Sequence, residues 1–325
     1  MLRGVALHLL RAGAVVFGVV SLTFVLLHLA PGDPAAHLLG PAATPEQLDA
    51  ARHTMGLDRA LPVQYLAWLS RAIHADFGLS IARGRPVASM LAEAWPATAL
   101  LVVLSLAASY LLGIAIGAWQ ANTRSRTLDG SLSVATVALA AMPGYWLALV
   151  LVMVFTYRLE LLPSFGARGL DADFLGSWSQ LLDRLRHLAL PLLTLTLIGM
   201  GGAARFVRSS LRDLRDAPFV VVARARGLSP RQVILRHQLR NGLIPVITLL
   251  GLSLPALFSG TVFVEAIFAW PGVGQVLVQA VQGRDYPVVM AAATVSAVLV
   301  VLGNLLADLV VGLVDPRTRS SHVAP

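Results

Sequence analysis

Apolar residues run along this chain in long blocks, separated by shorter segments that carry nearly all of the charge. Six blocks, near 11–30, 97–119, 130–156, 188–206, 243–264 and 287–313, approach or exceed the about 20 residues a helix needs to cross a bilayer. The pattern predicts an all-α polytopic membrane protein with six transmembrane helices. Trp95 and Trp119 bracket the second block, and along a helix they stand roughly 36 Å apart, near the distance between the two membrane interfaces. The fourth block is the weakest, with Gly199, Gly201 and Gly202 near its end, and the sixth is long enough to tilt or to extend past the membrane. The first block is read as a retained helix. Its apolar run to Ala30 is longer than the core of a signal peptide, and Pro31-Gly32-Asp33-Pro34 offers no clear cleavage site. The predicted organisation is a short terminus at 1–10, the first span at 11–30, a loop at 31–96, a five-helix core at 97–313 and a tail at 314–325.

The polar segments add detail. The segment from Pro31 to Ala94 is too long for a bare connector and is predicted to hold short helices. Thr44-Pro45-Glu46-Gln47 reads as an N-cap, a proline at the first helical position and an acidic first turn, opening a helix toward Met55 that stops at Gly56. Basic residues set the orientation. The 1–10 terminus with Arg11, the 120–129 loop, the 205–242 loop and the tail carry 15 arginines against four acids, and the opposite side carries 10 against 12. The arginine-rich side is predicted to be cytoplasmic, which puts both termini inside and the 31–94 and 158–187 loops outside.

Composition supports this picture and closes off other classes. Hydrophobic residues make up 57% and charged residues 13%, against about 25% charged in a soluble domain. All 25 basic residues are arginine, so no P-loop lysine exists to hold nucleotide phosphates. The chain has no cysteine, which excludes disulfides and thiolate metal sites. The eight histidines are scattered, and neither His187 nor His237 has a partner at ligand spacing, so no metal or cofactor is expected. The net charge of +8 is accounted for by membrane topology rather than by nucleic acid.

Nine of the arginines lie between Arg205 and Arg240, accompanied only by Asp213 and Asp216. Arg205, Arg208, Arg212 and Arg215 fall on one face of a helix continuing out of the fourth span, where they are expected to anchor on phosphate headgroups. Further on, Pro218 starts a short helix that ends at Gly227, and Ser229 with Pro230 starts a second that ends at Asn241-Gly242 before Pro245. The second helix is predicted to carry Gln232, Arg236 and Arg240 on one stripe and Leu235 and Leu239 on another. Periodicity alone leaves two uses open for such a pair: a knob presented to a partner protein, or an interfacial helix lying on lipid.

Ala223-Arg224-Ala225-Arg226-Gly227-Leu228-Ser229, with His237, Asn241 and Ile244-Pro245, resembles the coupling segment of binding-protein-dependent ABC transporter permeases, in particular the oligopeptide/dipeptide/nickel subfamily. The resemblance extends in order over nearly the whole chain. It includes Pro31-Gly32-Asp33-Pro34, Asp76-Phe77-Gly78-Leu79-Ser80, Glu265, Phe268 and Pro271-Gly272-Val273-Gly274, then Arg284-Asp285-Tyr286-Pro287, Asn304, Asp308 and Asp315-Pro316-Arg317. It departs from the general permease motif at Val221-Val222-Ala223, where that motif has Glu-Ala-Ala, so no role of a motif glutamate carries over. The resemblance implies a subunit that hydrolyses no ATP itself and forms half of a translocation pore in the bacterial inner membrane. It also implies a second homologous permease, two ATP-binding subunits and an extracytoplasmic solute-binding protein as partners. The residues implied in ATPase coupling, within the loop 207–242 and just after it, are Ala223, Arg224, Ala225, Arg226, Gly227, Leu228, Ser229, Pro230, Arg236, His237, Asn241 and Pro245.

Three polar residues near or within the membrane are candidates for the translocation path. Asn304 and Asp308 lie one helical turn apart in the sixth span, where an interhelical structural pair is the favoured alternative. Glu265 can line an outer gate or anchor a loop. Gly113-x-x-x-Gly117 is read as a close-packing face. An ATP-independent carrier or channel is the rival function, and it calls for an inverted repeat or a cluster of intramembrane charges, neither of which is evident. A membrane enzyme would need a nucleophile–base set, and Asp76, Arg85 and Glu93 form none.

Overall fold

The computed structural model describes the backbone of residues 2–314; within that range the side chains of 2–9, 230, 244–245, 247–248, 251–252, 254–259 and 306–314 lie outside the described set. The elements are helical: α1 (Leu2–Leu29), α2 (Pro34–Leu39), α3 (Pro45–Met55), α4 (Leu61–Ala72), α5 (Val87–Asn122), α6 (Arg126–Ala141), α7 (Gly144–Val152), α8 (Ser177–Asp213), α9 (Pro218–Ala225), α10 (Pro230–Gln232), α11 (Leu239–Gly242), α12 (Ile244–Ile267), α13 (Val273–Gln282) and α14 (Tyr286–Val314). Wide π-type turns, Met153–Arg158 and Val233–Gln238, follow α7 and join α10 to α11. Among the described residues four helices are long and apolar enough to cross a membrane, at Leu10–Leu29, Val87–Asn122, Ser177–Asp213 and Tyr286–Leu305. The bent pair Arg126–Ala141 and Gly144–Arg158 makes a fifth if it is one span, and a total of six requires α12 to be counted as well.

The apolar block 130–156 is broken at Met142-Pro143. Its two helices meet at 105°. Met142 is extended (φ −70°, ψ 134°), as a residue before proline prefers, and Pro143 has no N–H to continue the helical ladder.

The chain divides into two compact units. The first comprises Met1–Thr98 and Pro271–Val301, the second Ala99–Trp270 and Leu302 onward, so the divisions at 98/99 and 301/302 fall inside α5 and α14 and the one at 270/271 falls between α12 and α13. In the first unit α5, α13 and α14 bury Val87, Leu91, Val273, Val288 and Ala292 together. Helix α1 contributes Val20 to a second cluster with Trp68 and Met290, and Ser21 Oγ lies 2.7 Å from the Tyr65 hydroxyl. Thr44 caps α3 as the sequence predicts. Its Oγ1 accepts from Gln47 N, Gln47 Oε1 accepts from Thr44 N, and Gly56 ends the helix in the left-handed region.

In the second unit α8 is the central element: 56% of its most apolar stretch is buried, against 11% for α1 of the first unit. Small residues let its neighbours approach. A Cβ on Gly117 of α5 would stand 2.4 Å from the Ala204 carbonyl oxygen, and one on Gly113 would stand 2.6 Å from Ala203 Cβ. On α8 itself, Gly201 faces the Thr136 carbonyl of α6 and Gly199 faces Ser109 of α5 at similar range. Two of the three glycines that make the fourth block weak by hydropathy, Gly199 and Gly201, therefore lie on its packing face, and Gly202 has open space beside it.

Candidate functional site

The segment after α8 folds into two short helices around a tight corner. Pro218 takes the first position of α9 after an extended Ala217. Arg226 ends that helix, and Gly227 turns the chain at φ +79°, a conformation that costs an L-side chain roughly 1–2 kcal/mol. The Gly227 and Leu228 amides donate back to the Arg224 and Ala223 carbonyls at 2.9 and 3.3 Å. Ser229 N then donates to Gln232 Oε1 (3.0 Å) while Gln232 N donates to Ser229 Oγ (3.4 Å), a reciprocal cap that starts the next helix. Inside the corner Val220, Ala223 and Val233 are buried together, with Ala217 and Leu228 packed against them.

Outside the corner the knob is both apolar and cationic. Val221, Val222 and Leu235 are about half or more exposed, and Ala225, Arg224, Arg226, Arg231, Arg236, Arg240 and Asn241 are exposed as well. None of those arginines pairs with a carboxylate among the described residues. His237 is half-buried, and its carbonyl accepts from Asn241 Nδ2 at 2.8 Å. The predicted Leu235–Leu239 stripe does not form. The wide turn over Val233–Gln238 shifts the helical register, leaving Leu235 65% exposed while Leu239 packs among the Val207 and Leu211 cluster. The knob is tied to α8, since Ser210 Oγ donates to the Gly242 carbonyl at 2.9 Å and a Cβ on Gly242 would stand 2.8 Å from Leu211 Cδ2. The side chains of Pro230 and Pro245 lie outside the described set.

The arginines of α8 and its end divide into two pairs, Arg208 with Arg212 and Arg205 with Arg215. Arg208 was expected to reach headgroups, yet its Nε and guanidinium NH2 donate to both oxygens of Asp129 at 2.7 and 2.6 Å, and Arg212 adds a third bond at 2.8 Å. Asp129 belongs to the first turn of α6, so the cluster ties α6 to α8 beside the knob. Arg205 and Arg215 remain exposed. The signal was present in the sequence: Asp129 is the acid of the 120–129 loop, and Arg208 and Arg212 are one helical turn apart.

A second polar constellation lies in the first unit, where three segments of the resemblance meet. Asp285 is 2% exposed, and its carboxylate accepts from the Ser80 hydroxyl and from the amides of Ile81 (3.1 Å) and Ala82 (3.2 Å). Gly32 lies against the Arg284 guanidinium so closely that a Cβ there would stand 2.4 Å from its central carbon. Asp33 caps α2 through Ala35 N and accepts from Arg52 Nε at 2.8 Å, a bond that holds the Arg52 guanidinium above its ordinary value. The 31–34, 76–80 and 284–287 segments thus build one polar joint, a relation that sequence spacing could not show.

Of the translocation candidates, Glu265 and Asn304 have described side chains. Glu265 is fully buried near the end of α12, and its carbonyl accepts from Trp270 N at 2.9 Å. Asn304 is exposed on α14, the Asp308 side chain lies outside the described set, and Asp315-Pro316-Arg317 lie outside the described residues altogether.

Helices long and apolar enough to cross a membrane define a polytopic membrane protein, and its second unit carries one compact two-helix knob. Comparisons with known proteins agree. Residues 113–320 match the family described as binding-protein-dependent transport system inner membrane component, and residues 1–102 match its N-terminal companion. The chain is 36% identical over 304 residues to the oligopeptide transport system permease protein AppB of Bacillus subtilis, covering 93% of this chain and 95% of that protein. It is 37% identical over 317 residues to the probable D,D-dipeptide transport system permease protein DdpB of Escherichia coli K12, covering 93% of each. The glutathione transport system permease protein GsiC of Escherichia coli K12 is 35% identical, with 98% of this chain and 99% of that one covered. In fold, 70% of this chain matches 96% of a chain of the MetNI methionine ABC transporter, solved in inward-facing conformations, with a TM-score of 0.56 at 18% identity. The chain belongs to the family of binding-protein-dependent transport system inner membrane components. It is a multi-pass permease subunit that works with other components of an ABC transporter; it is not an enzyme, and ATP hydrolysis in such systems is carried by separate subunits.

Proposed function

We propose that this chain forms half of the pore of an ATP-driven importer for di- or oligopeptides or a closely related small solute. In this reading the other half is a second homologous permease, two ATP-binding subunits grip the 207–242 loops from the cytoplasm, and an external solute-binding protein delivers the cargo. The relatives named as an oligopeptide, a D,D-dipeptide and a glutathione permease support a peptide-like cargo.

The observation that carries the mechanism is the knob itself. It has its own small core, an exposed apolar and arginine-bearing surface, and a fixed attachment to α8, while α12 begins two residues after it ends. A partner that moves the knob therefore moves α8 and α12 with it. Closure of the ATP-binding subunits shifts the pore from inward-facing to outward-facing because the two states bind the closed pair with different free energy. Ala223 serves the knob's core, Gly227, Ser229 and Pro230 hold its corner, and Arg224, Ala225, Arg226, Arg236 and Asn241 form the surface offered to the motor. Leu228, His237 and Pro245 complete the coupling segment.

Gly227→Val tests this reading. Space is available at the site, since a Cβ there meets nothing within 4 Å, so the substitution acts on the φ +79° corner alone. The variant is expected to insert and to assemble with its ATP-binding partners while uptake falls at least about tenfold relative to ATP hydrolysis. Normal uptake by the variant, or cargo movement by the purified permease chain alone in vesicles, overturns the reading.

A further inference from the structure

Beyond transport, the first unit holds a cavity that the permease mechanism does not use. It has a volume of about 500 Å³ and lies among the end of α1, the α3–α4 connection, the 76–81 segment and the start of α14. Its walls are largely apolar and aromatic, with Phe24, Trp68, Phe77 and Tyr286 among them. Arg59 and Arg71 line it, both exposed, and no aspartate or glutamate does. Neither arginine pairs with a carboxylate among the described residues. A smaller cavity of about 320 Å³, lined by Val25, Leu29, Leu61 and Tyr65, shares Phe24 and His28 with the first. Val25 and Leu29 belong to the outward face of α1, where Leu22, Val25, Leu26 and Leu29 are 49–74% exposed. That face is the surface a membrane helix turns to lipid.

We propose that these adjoining cavities form a binding site for an anionic phospholipid of the leaflet at this end of α1. An acyl chain enters the apolar cavity from the lipid-facing side of α1, and the phosphate is held by Arg59 and Arg71. Three observations converge on this occupant. The smaller cavity is continuous with the lipid-facing helix surface. The larger is within the size range of small-ligand sites, about 300–1,000 Å³. Its charged lining is cationic with no acid, which selects an anion and matches the fork geometry by which arginine holds phosphate. The position is also right for a headgroup, because α1 ends at Leu29 and gives way to the polar Pro31-Gly32-Asp33-Pro34 turn. A lipid held there ties α1, which has few buried positions of its own, to α4.

The experiment uses the full chain in detergent, exchanged into equal amounts of phosphatidylglycerol and phosphatidylcholine with matched acyl chains. Retained lipid is counted by native mass spectrometry. The unaltered protein is expected to retain phosphatidylglycerol over phosphatidylcholine. The Arg59→Ala/Arg71→Ala double variant is expected to lose that preference about tenfold or more, since both charge-assisted contacts to the phosphate are gone. Ala67→Phe, which fills the larger cavity from α4, is expected to reduce retention of both lipids. Equal retention of the two lipids by the unaltered protein overturns the proposal, as does a double variant that keeps the full preference. The two arginines are exposed, so their removal leaves folding intact and the double variant decides even if Ala67→Phe does not fold.

Discussion

Asp285 and Asp129 each gather hydrogen-bond donors from segments distant in the chain. Asp285 accepts three hydrogen bonds in a buried position, so removing it strands the Ser80 hydroxyl and the Ile81 and Ala82 amides. A buried donor left unsatisfied costs about 1–3 kcal/mol, and we expect Asp285→Ala to destabilise the protein by on the order of 3 kcal/mol or more. Ser80→Ala removes one of the three donors to Asp285 and the acceptor of the Arg83 amide, while the two amide bonds to the carboxylate remain, so a smaller loss of about 1.5–2 kcal/mol is expected. Thermal unfolding in detergent measures both, and a loss for Ser80→Ala equal to that for Asp285→Ala contradicts the account. Asp129 does the same for Arg208 and Arg212, so Asp129→Ala leaves two guanidinium groups at the end of α8 without their anion. These carboxylates were visible in the sequence as residues but not as partners, because the segments they join are separated by 79 to 205 positions.

Helix packing in the second unit depends on where side chains are missing. Gly117→Val would place its Cβ 2.4 Å from the Ala204 carbonyl oxygen, a backbone atom that cannot swing aside, so α5 and α8 must separate. Overpacking of this kind costs about 1–3 kcal/mol or more, and a marked fall in the yield of folded protein from membranes is expected. Gly130→Ala on α6 is the control: nothing lies within 4 Å of its Cβ, and alanine is favoured in a helix by about 1 kcal/mol. If both variants are recovered equally, the glycine face is not what seats α5 on α8. The contrast also explains what the sequence made legible. Gly113-x-x-x-Gly117, the Thr44 cap and the Gly227–Ser229 corner are local features whose chemistry spans a few residues, and each has the form its residues predict. The 105° break at Pro143 was harder to read, because proline in a membrane helix is compatible with a kink, a start or a full turn. The Leu235–Leu239 stripe failed for a related reason: one widened turn suffices to rotate every later residue off its expected face.

At the scale of the whole molecule the decisive quantity is which side of the membrane the knob occupies. The arginine bias, 15 on one side against 10 on the other, argues for the cytoplasm, and only there can an ATP-driven partner reach Arg224, Arg226 and Arg236. The chain contains no cysteine, so single cysteines report cleanly. Leu170 is 99% exposed in the segment before α8, and Arg226 is exposed in the knob after it. Helix α8 is the one long helix between them, and its 37 residues reach about 55 Å, more than a bilayer needs. Leu170→Cys is therefore expected to react with a membrane-impermeant maleimide added to intact cells, and Arg226→Cys only in inverted membrane vesicles. Two outcomes carry different meanings. Labelling of both positions from the same side means that α8 does not cross the membrane and the span assignment is wrong. Labelling of opposite sides but in the reverse sense keeps α8 as a span yet turns the knob outward, away from any nucleotide-driven motor. In that case the fold and the family stand, while the mechanical role assigned to the 207–242 loop does not.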